Sequence, residues 1–460
     1  LKQKGVISEL SENSSELNLI VGVDEKIDLG KAFILGLQHV LAMDIYVLPI
    51  IIAALLGMDI ANTALFISMT FFAAGVATII QTGWGMKLPV MQGPSYVPIG
   101  ALAAIGKTLG LGAMVGSLIP GAIIIGLLGY PFKILGKIIK KFIPPVVAGT
   151  VIVVVGITLM TIAMNNIFGA EGNVGHNVLV SSVSAIMMVV FVMIGVRVKG
   201  IGKYVRLSSV ILAIAIGTVV ASCFGGVDFS PVAKAAWLAA PRPFPFGVPK
   251  FDLMAVLTMV FIYLVILVET TGTWFTISAV TGEELTDKRL NGAAVGEGIG
   301  CMLGAFFGGT PLTGYSSNAG VIAVTGIASR WAIMAGGIIL IVLGMIPKLM
   351  NVIACIPGTV INGVFAIVAV FVMVNGMRVL KTVQLDERNM FIVGMPVLLG
   401  VTAAVIPAEI LGSLPSLANY LFSSGTAVGA ITAVLLNILI PQSKKSSEVV
   451  ETQTATSAKS

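Results

Sequence analysis

Four acids fall inside or at the edge of apolar runs of this 460-residue chain: Asp44, Glu269, Glu297 and Glu409. Two more polar side chains, Gln38 and His39, share the first run with Asp44. Ionisable groups in such surroundings are costly, and their default reading is a functional site. Glu269 lies deepest, in FIYLVILVETTGTWF, with at least eight uncharged residues on each side. A carboxylate there either carries a proton or accepts two N–H bonds from a ligand; the structural alternative is a carboxyl bonded to Thr270, Thr271 or Thr273. Glu297, six residues after Asn291 and expected nearer the cytoplasmic end, either orients a site or relays a proton, or makes a buried structural hydrogen bond. His39 is expected to support a site rather than touch its ligand. Asp44, five residues on, falls on a different helical face at roughly 100° per residue; it faces a cavity or a partner helix. Glu409, after Pro407, is expected at the outer interface, and His176 in an exposed polar loop.

Two broken stretches must position these groups. In Gly308 to Trp331, Gly-Gly-Thr-Pro cannot sit comfortably in a helix. A polar cluster, Thr313 to Asn318, follows, and then an apolar run from Ala319 to about Ala328 that is far shorter than the ~20 residues of a spanning helix. Pro89 to Gly106 has the same plan: Gln92-Gly93-Pro94-Ser95-Tyr96 leads into a short apolar run from Pro98. Irregular backbone is tolerated at membrane depth only where protein or a cavity surrounds it. Paired interruptions in the two halves of a chain point to a binding site between repeats.

The composition requires a membrane setting. The chain is 57% hydrophobic and 10% charged, where soluble domains carry about 25% charged residues. Its mean hydropathy is +1.04. The 53 glycines fit closely packed membrane helices. Cys223, Cys301 and Cys355 are far apart in apolar surroundings and read as packing residues, with neither metal spacing nor a disulfide framework. Phosphate-binding glycine motifs, paired-histidine metal ligands and a Ser-His-Asp set are all missing from the sequence, so no cofactor, metal, nucleic-acid partner or enzymatic activity is expected.

Apolar runs fall near 31–56, 61–81, 112–132, 144–165, 178–197, 208–226, 252–275, 291–308, 331–350, 358–377, 389–407 and 420–441. With the two broken stretches they predict fourteen crossings and both termini on one side. Basic residues at 133–141, 197–206, 288–289 and 378–388, with Arg330 and Lys444-Lys445, gather on the side of the N-terminus, which the charge rule places in the cytoplasm. The Pro-rich loop near 226–250 is then external and joins two seven-helix halves. The first 28 residues carry no signal-peptide pattern, and the last, from Gln442, read as a disordered tail.

The segment Ser317-Asn318-Ala319-Gly320-Val321-Ile322-Ala323-Val324-Thr325-Gly326 resembles the signature of the nucleobase–ascorbate transporter family. The resemblance runs over most of the chain: Gln38-His39, Gln92-Gly93-x-x-Tyr96, PPVVAGTVIVVVGITL from Pro144, Glu269-Thr270-Thr271-Gly272, Glu297-Gly298 and TGIASRW. It implies an all-α polytopic fold of fourteen segments in a 7+7 inverted repeat, with short strands opening segments 3 and 10. A core (29–134 and 251–350) would move against a gate (135–250 and 351–441), between a cytoplasmic segment 1–28 and a tail 442–460. It also implies a homodimer in a bacterial inner membrane that takes up purine or uracil bases with protons. By resemblance, Glu269 binds the substrate, Tyr96 contacts the base, Ser317 sets specificity with Asn318 in support, and Tyr315 lines the pocket. Glu297 and His39 match the ninth- and first-helix polar positions, and Thr325 closes the signature.

A nucleobase suits these residues on physical grounds. It is flat and edged with N–H donors and carbonyl acceptors. An ionised Glu269 can accept two adjacent N–H groups, Tyr96 offers an apolar face, and the half-helix N–H groups near Tyr96–Val97 and Ser317–Ala319 can donate to ring carbonyls. Two positions depart from the pattern. Ser317 stands where relatives carry Gln or Glu, leaving that place to a water or to Gln92. Thr273 stands where they carry Asp or His, so proton coupling must rest on Glu269 or Glu297, with Asp44. The expectation is a proton-coupled purine importer. Its rivals are a uracil carrier of the same fold, an anion exchanger of related fold, and a membrane-embedded enzyme or receptor.

Overall fold

The computed structural model describes residues 19–198, 200–225 and 227–441. The expected tail and most of the expected N-terminal segment lie outside the described residues. In chain order the helices begin with α1 (Leu29–Leu41), α2 (Val47–Leu56) and α3 (Ile60–Ile80), the last running into a π turn at Gln81–Gly85. Strand β1 (Gln92–Pro94), α4 (Ile99–Leu109), α5 (Leu111–Gly129), α6 (Leu135–Phe142), α7 (Pro145–Phe168) and α8 (Val174–Arg197) follow. Then come α9 (Ile201–Leu207), α10 (Ser209–Ser222), α11 (Ser230–Lys234), α12 (Leu253–Thr281) and α13 (Asp287–Phe306). Strand β2 (Leu312–Gly314), α14 (Ser317–Thr325), α15 (Arg330–Gly344), α16 (Pro347–Ala354) and α17 (Gly358–Leu380) lead to α18 (Glu387–Ala404), α19 (Ala408–Ser413), α20 (Ser416–Phe422) and α21 (Gly425–Leu439).

Six of these helices are long and apolar enough to cross a membrane, and two bent pairs qualify if each is one span. Capping side chains open several of them: Asp59 accepts from Asn62 N, Asp252 from Ala255 N and Asp386 from Asn389 N. Each supplies an acceptor for an N–H group the helix itself cannot pair.

Three runs expected to be continuous are broken. The first divides at residues 42–46, so Asp44 lies in a turn between α1 and α2 and not on a helical face five positions from His39. The run 331–350 bends by 81° between α15 and α16, where Pro347 has no N–H to continue the ladder. The run 420–441 bends by 90° between α20 and α21, and the Ser424 hydroxyl caps the new helix by accepting from Ala427 N at 3.2 Å.

The two Pro/Gly stretches pair with each other. β1 and β2 run antiparallel, with Gln92 opposite Gly314, Gly93 opposite Thr313 and Pro94 opposite Leu312. Ser95 N donates to Pro311 O at 2.8 Å and Tyr315 N to Met91 O at 3.0 Å, which extends the ladder at both ends. Backbone that cannot be helical thus satisfies its polar groups against a segment more than two hundred residues away. Gly93 is required here, because a Cβ would run into the Tyr315 ring. The helix packing repeats across the chain: α3 packs on α15, and α13 packs on α5.

Candidate functional site

The strand pair ends where two short helices begin, and there the polar side chains gather around a cavity of about 320 Å³. Glu269 comes from α12, Tyr96 from the lead into α4, and Tyr315 and Ser317 from the lead into α14; all four line the cavity, as do Asp44, Thr273 and Thr325. α17 contributes Val368, Phe371 and Val372 to the lining, which also reaches exposed Arg206 and Arg378. Those two arginines belong to the side that the charge distribution assigns to the cytoplasm.

Glu269 has a different partner from the one its neighbours suggested. Ser95 Oγ, from the other broken stretch, donates to Glu269 Oε2 at 2.8 Å. Thr271 instead donates to the carbonyl of Leu267, and Thr270 Oγ1 accepts from Gly314 N. One carboxylate oxygen is thereby held by the protein, which orients the group over the cavity. Tyr96 donates its hydroxyl to Asp44, and Tyr315 donates to Pro94 O at 3.0 Å. The Tyr96 ring lies 6.4 Å from that of Tyr315 and 5.6 Å from that of Phe365, centroid to centroid, so the floor of the cavity is aromatic. Flat apolar faces of this kind favour a planar ligand.

Other expected site residues stand behind this layer. Asn318 is buried and its Nδ2 lies 3.1 Å from His39 Nδ1, so the signature asparagine is tied to α1. Glu297 is buried inside α13, where Gln81 Nε2 donates to its Oε2 at 3.2 Å and to the Ala293 carbonyl at 3.2 Å. The π turn following α3 starts at Gln81, and such turns often mark functional sites. Gln92, fully buried on β1, turns its side chain toward Glu297 together with Thr270 and Thr313. It is therefore placed behind the strands and not beside Ser317. Of the N–H groups near Tyr96–Val97 and Ser317–Ala319, that of Val97 is bonded to Ser95 Oγ at 3.3 Å and that of Ala319 to the Ser316 carbonyl at 3.1 Å. Thr325 bonds its own helix through the Val321 carbonyl.

Sequence reading passed over Ser95, Ser316 and Asn375. The clue to Asn375 was a carboxamide inside the apolar run FAIVAVFVMVNGMR, by the same reasoning that singled out the buried acids. Ser95 and Ser316 carried no comparable signal, since serine is common at breaks in helices. Away from the cavity, His176 and Glu409 are exposed as expected; Cys301 and Cys355 are buried, whereas Cys223 is exposed.

An orienting acid, aromatic floor and two broken segments at the centre of an apolar helical body define a multi-pass membrane permease. The model described as "Permease family" matches residues 30–409, and the chain belongs to the nucleobase–ascorbate transporter family. The xanthine permease of Bacillus subtilis (strain 168) is 35% identical over 420 residues, covering 89% of this chain and 94% of that protein. The uric acid permease PucK of the same organism is 34% identical over 430 residues, covering 91% of this chain and 97% of that one. Among solved structures, the transmembrane domain of a cyanobacterium bicarbonate transporter, BicA, matches with a TM-score of 0.61 over 84% of this chain and 98% of that chain, at 17% identity. That likeness shows the fold, a helical polytopic membrane transporter fold.

Proposed function

We propose that this protein imports a purine nucleobase across the bacterial inner membrane together with a proton. The observation that carries the reading is Glu269, held through one oxygen by Ser95 at the wall of a cavity floored by Tyr96 and Tyr315. A carboxylate fixed in this way accepts adjacent N–H groups of a flat heterocycle, and the aromatic faces take its ring. The names of the xanthine and uric acid relatives support a purine, and a cavity of about 320 Å³ has room for two fused rings. The fold is shared with a bicarbonate transporter, so fold alone does not choose the cargo. Glu269 at the cavity wall suits a ligand that offers N–H donors better than an inorganic anion, which a carboxylate repels.

In this reading residues 29–134 and 251–350 form a core that carries the site, and 135–250 and 351–441 form the gate against which it slides. The antiparallel strands, each leading into a short helix, and the matched packing of α3 on α15 and α13 on α5 support an inverted repeat of two seven-segment halves. Both termini are cytoplasmic, and the working unit is a homodimer. Protons couple through Glu269 or Glu297, with Asp44 at the cavity edge.

The test is a thermal-shift panel on detergent-purified protein with xanthine, urate, guanine, hypoxanthine, adenine and uracil, since a ligand of the folded state raises its apparent stability. Stabilisation by a purine is expected. Stabilisation by uracil alone would transfer the reading to a pyrimidine carrier, and no response to any base would remove it. Uptake in vesicles is expected to collapse with an uncoupler; uptake indifferent to the uncoupler but dependent on sodium would refute the proton.

A further inference from the structure

The α17 wall of the cavity is apolar along Val368, Phe371 and Val372 and then presents one carboxamide, Asn375, at the start of α14. Asn375 Nδ2 donates to Ser316 Oγ at 2.9 Å, and Arg378 Nη1 donates to Asn375 Oδ1 at 3.4 Å. A guanidinium only donates, so Arg378 settles which end of the amide is oxygen and which is nitrogen. An amide offers two N–H bonds and two lone pairs. These contacts use one of each. One N–H and one lone pair remain on this amide, which lines the cavity; Ser317 lines it too, and its buried hydroxyl oxygen has no partner among the described residues.

We propose that Asn375 is a specificity-determining residue that binds a second edge of the substrate, the chemical class being a base with an N–H and a carbonyl on neighbouring ring atoms. This rests on the reading of the cavity as a nucleobase site and adds to it a contact from α17. The planar amide meets a lactam edge through two parallel hydrogen bonds, as the Glu269 carboxylate meets two N–H groups. Arg378 acts as a positioning residue that holds the amide in the orientation this requires. A site built to hydrogen-bond a polar edge discriminates strongly, because a ligand without that edge leaves the site's own groups unpaired. The contact comes from α17, an element separate from α12, which carries Glu269, so the base is held from two helices at once.

The test is calorimetric binding of xanthine, hypoxanthine, guanine and uracil, which all carry an N–H beside a carbonyl, and of adenine, which has no carbonyl, to the full-length wild-type protein and to the Asn375→Ala and Asn375→Asp variants. Asn375→Ala is expected to weaken the preferred base by about tenfold or more, and to change an analogue lacking one of the two edge groups by less than about twofold. Equal loss for adenine and for the carbonyl-bearing bases marks a packing role and overturns the proposal, as does unchanged affinity for the preferred base. If Asn375→Ala does not fold, Asn375→Asp decides: it keeps the volume, replaces the N–H donor with an acceptor, and is expected to show the same unequal losses. Wild-type protein that binds no base overturns the nucleobase reading and this proposal together, whereas normal wild-type binding with indifferent variants overturns this proposal alone.

Discussion

The Tyr96 hydroxyl donates to Asp44 Oδ2 at 2.5 Å, joining the lead of the first short helix to the turn that divides the first apolar run. The bond spans 52 positions of sequence and fixes the ring that forms part of the cavity floor. It also gives Asp44 a definite partner, so the acid at the cavity edge is held and not free to rotate.

Tyr96→Phe separates these two roles. The ring stays and the buried Asp44 loses its donor, which is expected to cost about 1–3 kcal/mol of stability, read as a lower melting temperature with affinity nearly unchanged. Tyr96→Ala removes the face as well and is expected to weaken base binding by about two- to tenfold, from stacking worth ~0.5–1.5 kcal/mol. Equal affinities for the two variants would show that the ring does not contact the ligand.

Glu269→Gln keeps an oxygen to accept from Ser95, so the fold is expected to survive with an unchanged melting profile. Two charge-assisted bonds to the base are lost or weakened, each worth roughly 1.5–3 kcal/mol, and affinity is expected to drop by at least about a hundredfold. Binding at wild-type strength, measured by titration calorimetry, would remove Glu269 from the site.

Gly93→Ala places a methyl against the Tyr315 ring, whose hydroxyl bonds Pro94 O. The ring and the strand pair cannot both keep their positions. Displacement of a positioning group by an ångström can cost about a hundredfold in rate, so uptake is expected to fall on that scale while the protein still reaches the membrane. Uptake normalised to membrane-inserted protein provides the check.

Gly296→Ala tests the packing behind the site. Its Cβ would fall on the Gln81 amide oxygen, driving that side chain away from Ala293 and Glu297, at an overpacking cost of about 1–3 kcal/mol. The control is Gly394→Ala in α18, where a Cβ meets nothing within 4 Å and the helix gains up to about 1 kcal/mol. Thermal melting of the pair should move in opposite directions.

Asn318→Ala leaves the buried His39 ring without its partner and is expected to lower stability by about 1–3 kcal/mol. The signature asparagine would then prove to act on the helix behind the site. A variant that melts like the wild type but no longer binds the base would instead make Asn318 a direct contact.

The membrane setting, the two broken segments and the place of Glu269 within an apolar helix were legible in the sequence, because each is a local fact. A chain this apolar has no other solvent, a Pro/Gly stretch cannot be helix, and an acid deep in an apolar run needs a reason to be there. Partners were not legible. Glu269 is bonded to Ser95 and not to the threonines one turn away, Gln92 turns toward Glu297 and not toward Ser317, and Asn318 faces His39. Periodicity places a side chain on a face of its own helix but carries no information about which distant segment covers that face. Asp44 shows the same limit, since the hydroxyl that holds it in the break between α1 and α2 comes from Tyr96, 52 positions away.

The amino-acid sequence by itself determined that this chain lies in a bilayer, where its irregular backbone falls and which acids stay inside. Tertiary structure alone decided that the two irregular stretches would satisfy each other as a strand pair, and so bring Glu269, Tyr96 and Ser317 to one cavity. The physical reason is hydrogen bonding without water: each broken segment has backbone groups that must be paired. Only the folded chain specifies that the partner is the other broken segment, and only the folded chain brings Asn375 of α17 to Ser316 at the same cavity.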